Sequence, residues 1–150
     1  MIAAAALALT ASLALASPAR ADRCDDLANQ LKGQIDGLSV GKTAANVIYL
    51  AHPAAKQLRL GCTSRKVSNE LLASSEARKP KPEFISLVAK ASAVIFTVPL
   101  DTTLKGATRC IKRMGILRGD DIRMRFSRLD MRCTRTKLDA TITISRAKDA

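Results

Sequence analysis

The sequence predicts an α+β domain in which a small antiparallel sheet of about five strands is packed by two to three helices and stapled by two disulfides. The first observation is the order of the elements, because segments with a helical spacing of apolar residues stand apart from segments that alternate apolar and polar residues. The second is a set of four cysteines that follows an N-terminal apolar segment. The third is size, since residues 22–150 suffice for one hydrophobic core.

Residues 1–21 have the features of a secretory signal peptide. A run rich in Ala and Leu ends at a Ser-Pro pair, and the following Ala19 and Ala21 are small residues at the two positions that a signal peptidase reads. A run of about 15 apolar residues is too short to span a bilayer stably, and no other segment reaches about 18. We therefore expect a signal peptide over 1–21, a single domain over 22–150 without a transmembrane segment, and a periplasmic or secreted location.

The first half of the domain is expected to form one helix and three strands. Apolar residues recur every four positions over residues 25–35, which predicts a helix. Residues 44–50 and 57–63 are rich in β-branched or alternating apolar residues, and they predict two strands separated by a His-Pro turn. Residues 67–74 predict a third strand.

The middle of the domain is expected to form two helices. After a linker-like stretch over 74–82, residues 83–97 predict a helix, but the β-branched residues 94–98 also fit a strand. Asp101 is a suitable N-cap for the second helix, and Gly115 lies just beyond its end. The apolar face of this second helix is expected to comprise Leu100, Leu104, Ala107, Ile111 and Met114.

The last part of the chain is expected to form a hairpin. Apolar residues alternate with polar ones over residues 122–126, and again in the opposite phase over 129–133. A β-bulge near Ser127 and Arg128 would let both sets face the core. Residues 140–144 alternate in the same way and are the expected partner strand.

Cys24, Cys62, Cys110 and Cys133 are expected to form two disulfides, because an even number of cysteines in an exported chain is typical of a disulfide framework. Three pairings are possible. The pairing 24–62 with 110–133 is favoured, since Cys62 and Cys133 stand in similar strand-end sequences and each is followed by Thr. No Cys-x-x-Cys pair occurs and the chain has one histidine, so we expect no metal site, redox pair or cofactor.

Two motifs bear on catalysis. The stretch from Gly37 to Thr43 resembles a phosphate-binding loop but has three residues between its glycines where four are needed, so we expect a helix-to-strand turn. His52 is the residue that any Cys-His or Ser-His mechanism must use, but a histidine before proline is typical of a loop. We predict no catalytic residue and favour a binding protein over an enzyme.

Positive charge is the most informative surface feature. Lys and Arg number 25 against 13 Asp and Glu, a net charge of +12, and from Lys105 onward 13 basic residues stand against 5 acidic ones. We expect the outward face of the hairpin and the preceding helix to form an anion-binding surface whose affinity depends strongly on salt. The residues expected on this surface are Arg109, Lys112, Arg113, Arg123, Arg125 and Arg132.

We therefore expect an exported, non-enzymatic protein of the cell envelope that binds anionic components such as lipid head groups, lipopolysaccharide or acidic glycans. Nucleic acid is disfavoured, because a chain with no Trp, one Tyr and three Phe offers no stacking platform. One alternative is a structural or protein-partner module of the envelope, in which the basic surface only aids solubility. Another is a small hydrolase that uses His52.

Overall fold

The structure is a computed structural model that describes residues 21–63 and 68–146. The predicted signal peptide therefore lies outside the described residues, except for Ala21, where the first helix begins. The elements in chain order are α1 Ala21–Gln34, β1 Ser39–Ala44, β2 Val47–His52, β3 Ala55–Gly61, β4 Glu70–Ser74, α2 Pro82–Phe96, α3 Leu100–Arg113, β5 Asp121–Phe126, β6 Leu129–Arg135 and β7 Ala140–Arg146.

The strands form one antiparallel sheet in the order β1-β2-β3-β4-β7-β6-β5. Strands β1–β4 form one meander and β5–β7 another, and the pairing of β4 with β7 joins the two. Helices α2 and α3 connect the meanders along the chain. The predicted α+β class with an antiparallel sheet and two disulfides is confirmed, but the expected number of about five strands is wrong, because the sheet has seven.

The first additional strand is β1, which occupies most of the stretch that the sequence analysis assigned to a turn. It pairs with β2, with an irregularity between Val40 and Thr43, and a two-residue turn at Ala45 and Asn46 connects the two strands. Five of its six residues are exposed, so β1 lacks the alternation of apolar and polar residues that reveals a half-buried strand. The structure therefore places a sheet edge, not a phosphate-binding loop, over residues 39–44.

The second additional strand arises because the predicted β-bulge near Ser127 and Arg128 is wrong. These two residues form a tight turn with positive φ angles of 46° and 66°, and Phe126 pairs directly with Leu129 across it. A two-residue turn with both φ angles positive matches the twist of the flanking strands. The change of phase that suggested a bulge thus marks the end of β5 and the start of β6.

The core lies between one face of the sheet and the helices. Buried side chains of successive strands align across the sheet, as in the row Leu60, Leu71, Ile144 and Met131. The predicted helix over 83–97 is confirmed as α2, and the alternative strand over 94–98 is wrong. Helix α2 ends where Thr97 adopts a left-handed conformation with φ of 53°. The residues that α2 buries are Phe84, Leu87, Val88, Ala89, Ala91, Ser92, Ile95 and Phe96.

Helix α3 is rotated relative to its predicted orientation. It buries Thr103, Gly106, Ala107 and Cys110, whereas Leu100 and Leu104 are 45% and 39% exposed. The Oγ1 atom of Thr103 lies 2.9 Å from the carbonyl oxygen of Ala89 on α2, which holds this face of α3 inward.

The expectation that Asp101 is the N-cap of α3 is also wrong. Pro99 occupies the N-cap position, and Asp101 lies in the first turn without a side-chain capping hydrogen bond. The N-cap backbone is non-helical because the ψ angle of Pro99 is 139°, and proline has no N–H that needs a partner there.

The two disulfides join Cys24 to Cys62 and Cys110 to Cys133, which is the pairing that the local sequence pattern favours. The first bridge ties α1 to the residue after β3, and the second ties α3 to β6. The Cα atoms of the bridged pairs are 5.7 Å and 6.0 Å apart, within the ordinary range for disulfides. The second bridge also fixes which face of α3 meets the sheet.

Candidate anion-binding surfaces

The six basic residues predicted to share one surface lie on two. Arg123 and Arg125 alternate along β5 with Ile122 and Met124, which pack against the core, so the arginine side chains project to the other side of the sheet. Arg132 is paired with Arg123 across the β5–β6 ladder and lies on that same side. The other three residues, Arg109, Lys112 and Arg113, are on α3, which covers the opposite face. The predicted basic surface is therefore split by the sheet.

Two of the three arginines on the uncovered face of the sheet, Arg125 and Arg132, contact carboxylates. Arg132 makes a two-point contact with Asp121, with Nη2 2.7 Å from Oδ2 and Nε 3.0 Å from Oδ1. The Nε atom of Arg125 lies 2.9 Å from Oδ1 of Asp130. These groups line a shallow concavity of about 770 Å³ that also contains Glu70. An incoming anion would have to compete with carboxylates already in place.

Hydrogen bonds from arginines lower the pKa of two neighbouring acidic groups, Asp120 and Asp121. The hydrogen bond from Arg132 is the main cause for Asp121, whose pKa lies below its usual 3.8. For Asp120, desolvation raises the pKa, but hydrogen bonds from Arg78 and Arg135 together outweigh it and the net shift is downward. Arg78 also donates to the carbonyl oxygen of Thr136, so this cluster ties the segment before α2 to the end of the sheet.

A groove along α3 has a different character. It measures about 540 Å³ and has an apolar floor of Leu104 and Phe126. The guanidinium of Arg109 lies over the Phe126 ring, with Cζ 5.3 Å from the ring centroid, which is a cation–π distance. The cations that line this groove are Lys105, Arg109, Lys112 and Arg113. We call this site, with its floor and these four cations, the α3 groove.

The cations of the α3 groove differ from those of the sheet face in their partners. None of the ion pairs between described residues involves any of the four. Three of them, Lys105, Arg109 and Lys112, recur at spacings of four and three, which places them on one side of the helix. A groove with an apolar floor and several cations on its walls is suited to an anion that also carries an apolar part.

Neither floor residue was predicted as part of a binding site. The apolar pattern predicts Leu104 on the core-facing side of α3 and Phe126 on the inner face of the hairpin, and both positions point to a role in the core. The helical spacing of Lys105, Arg109 and Lys112 was the available signal, because it places three cations on one side of α3.

His52 holds a turn together through both ring nitrogens. Its Nδ1 accepts a hydrogen bond of 3.0 Å from the backbone N–H of Ala54, and its Nε2 lies 3.0 Å from the carbonyl oxygen of Asp36. Nε2 therefore carries the proton and donates it in this tautomer. His52 borders a cavity of about 390 Å³ together with Glu83 and Ser86, but the imidazole is committed to backbone groups on both sides.

A cleft of about 780 Å³ lies between α1 and α2, and its described lining residues have no dominant charge. Its charged lining residues are Arg23 and Asp26, one of each sign, with amides such as Gln30 and Asn69 between them. In the described part of the chain, no three His, Cys, Asp or Glu side chains are grouped as a metal-ligand set. The α3 groove is therefore the site whose chemistry is most distinctive.

Comparison with known proteins leaves the geometry as the only guide to function. No protein-family model, curated protein or solved structure matches this chain. No helix within residues 21–63 and 68–146 combines the length and apolar character needed to cross a membrane.

Proposed function

We propose that this protein is a non-enzymatic binding protein of the cell envelope that takes up anionic ligands at the α3 groove. The observation that carries the proposal is that four cations surround an apolar floor and none of them forms an ion pair with a described acidic residue. The predicted role of the hairpin arginines is given less weight, because Arg125 and Arg132 already contact carboxylates.

The physical argument for this site rests on what an incoming anion gains there. Cations without carboxylate partners attract an anion without first losing an ion pair, whereas a paired arginine must exchange one carboxylate for another anion. Arg109 is held by the Phe126 ring, so less side-chain freedom is lost when it contacts a ligand. The cations on the walls of the groove would bind phosphate or carboxylate groups, and the apolar floor would bind an acyl chain or another apolar segment.

A location outside the reducing cytoplasm is part of the proposal. It is supported by the two disulfides, which persist in oxidising compartments, together with the signal peptide expected from the sequence. A hydrolase that uses His52 has less support, since both ring nitrogens hydrogen-bond to the backbone.

Chromatography on immobilised heparin, a polyanion that contains no lipid, tests the site. The variant Lys112→Gln/Arg113→Gln removes two groove cations, and Lys32→Gln/Lys90→Gln removes two exposed lysines from α1 and α2 with the same change in net charge. We expect the groove variant to elute at clearly lower salt than the control pair. The slope of log affinity against log salt should become shallower by about one for each cation that no longer meets a sulfate group.

A third variant, Arg123→Gln/Arg125→Gln, removes the same charge from the uncovered face of the sheet. We expect it to elute with the lysine control. If it is the variant that loses retention, the hairpin face binds and the groove assignment is wrong. Equal elution of all three would mean that heparin responds to net charge alone, which also contradicts the proposal.

A further inference from the structure

The loop that follows α3 presents the two most exposed large apolar side chains of the described residues. Ile116 and Leu117 have relative exposures of 105% and 98%. The N–H of Gly115 donates to the carbonyl oxygen of Gly119 at 3.1 Å, and the N–H of Gly119 donates back to the carbonyl oxygen of Gly115 at 2.8 Å. These two hydrogen bonds close a five-residue loop with Ile116, Leu117 and Arg118 at its tip.

This loop projects away from the body of the protein. A Cβ atom built on Gly115 or on Gly119 would meet no other atom within 4 Å. The loop is also close in sequence to the α3 groove, because Lys112 and Arg113 line the groove and only Met114 separates them from the loop. Arg118 adds a further exposed cation at the tip.

We propose that the loop 115–119 is a membrane-docking element that inserts Ile116 and Leu117 into the surface of an anionic phospholipid bilayer. The inference rests on the proposed function, and it assigns the anion of the α3 groove to a lipid head group in a membrane. The apolar tip would enter the boundary between head groups and acyl chains, while Lys112, Arg113 and Arg118 would contact phosphates.

Charge complementarity favours a bilayer over a protein partner as the occupant. Two apolar side chains on a narrow convex tip cover too little surface to form the core of a stable protein interface. A bilayer needs no complementary pocket, and it supplies negative charge on every side of the inserted tip. The cations beside Ile116 and Leu117 fit that arrangement, because interfacial binding combines apolar burial with attraction to anionic lipids.

The chain contains no Trp, so a single introduced Trp reports on its own position. Leu117→Trp places this probe at the loop tip, and Leu138→Trp places it on another exposed apolar residue, 77% exposed, in the β6–β7 turn. With mixed phosphatidylglycerol–phosphatidylcholine vesicles we expect the emission of Leu117→Trp to shift to shorter wavelength and that of Leu138→Trp to stay unchanged.

Vesicle sedimentation then measures the contribution of the tip. We expect Ile116→Ser/Leu117→Ser to lower partitioning to the mixed vesicles by about tenfold or more, because two large apolar side chains no longer leave water. Leu138→Ser should partition like the unmodified protein. Heparin retention of Ile116→Ser/Leu117→Ser should be unchanged, since its cations remain.

The outcomes separate this inference from the proposed function. Sedimentation with mixed vesicles without a Leu117→Trp shift would mean binding by charge alone and would overturn the insertion. Heparin retention without vesicle binding would also overturn it, and would direct the search to a protein that contacts the loop. If the unmodified protein binds neither heparin nor the mixed vesicles, the groove and the loop are both rejected as binding sites.

Discussion

Gly106 sets how closely α3 approaches the sheet, and its replacement by alanine tests that packing. A Cβ atom at this position would lie 2.7 Å from Cε of Met131 and 2.9 Å from Cδ1 of Phe126, both closer than real Cβ contacts allow. Met131 is only 2% exposed and has little room to move. Alanine must therefore shift the terminal methyl group of Met131, the Phe126 ring in the floor of the α3 groove, or the helix itself.

Two opposing effects determine the expected change in the free energy of unfolding. Replacing glycine by alanine inside a helix stabilises it by about 1 kcal/mol. Overpacking of a filled site costs about 1–3 kcal/mol. Gly106→Ala should therefore be neutral to destabilising, with a net loss of about 0–2 kcal/mol.

Gly33→Ala is the matched control, because Gly33 is an exposed helical glycine in α1 with no atom within 4 Å of an added Cβ. It should stabilise the protein by about 0.5–1 kcal/mol. Comparing the two alanine variants removes most of the helix-propensity effect, so their difference of about 1–3 kcal/mol reports the overpacking itself.

Urea unfolding of the oxidised protein, with linear extrapolation to water, supplies both free energies. The same samples should show weaker heparin retention for Gly106→Ala than for Gly33→Ala, since Phe126 and the overlying Arg109 are displaced. If the two alanine variants agree in stability within about 0.5 kcal/mol, the close approach of α3 does not limit packing and the reasoning is refuted.

Two further predictions concern stability. The double variant Cys24→Ala/Cys62→Ala removes a bridge between residues that are 38 positions apart. The chain-entropy model predicts that the free energy of unfolding, measured in urea, falls by about 4 kcal/mol. An unchanged urea midpoint would contradict this prediction. The pKa values of Asp120 and Asp121 are lowered by folding, so their contribution to stability is fully present above pH 3.8 and is lost as the pH falls through their depressed values. Urea midpoints in an acid pH series should therefore fall less steeply for Asp121→Asn than for the unmodified protein, and parallel curves would exclude the link.

The elements that the sequence predicts well are those with a strong apolar period. Helix α2 combines a helical spacing with burial of eight of its fifteen residues, and β7 alternates buried Ala140, Ile142 and Ile144 with partly exposed threonines. In both elements, the residues that the apolar pattern predicts to face the core are buried in the structure.

Prediction failed where packing or backbone geometry left no trace in the apolar pattern. Helix α3 packs against Met131 through Gly106, and this leaves Leu100 and Leu104 exposed. The turn at Ser127 and Arg128 lacks the glycine or asparagine that normally marks positive φ angles.

The division of the basic residues between two surfaces could not be foreseen either. It depends on where β5 ends and on the side of the sheet that α3 covers, and both follow from tertiary packing. The ion pairs of Arg125 and Arg132 with aspartates on the hairpin were equally invisible at the level of net charge. Counting charges along the chain therefore predicts attraction of anions in general, and it does not identify which cations are available to them.

The order in which the cysteines pair has a consequence for how the chain matures. Each bridge joins two cysteines that are consecutive in the sequence, and the two closed loops neither overlap nor enclose one another. If the chain is exported N-terminus first, as proposed, Cys62 is the first thiol that Cys24 meets, and a bridge formed at that stage leaves Cys110 for Cys133. Oxidation in that order would produce the native bridges without rearrangement of a mispaired intermediate.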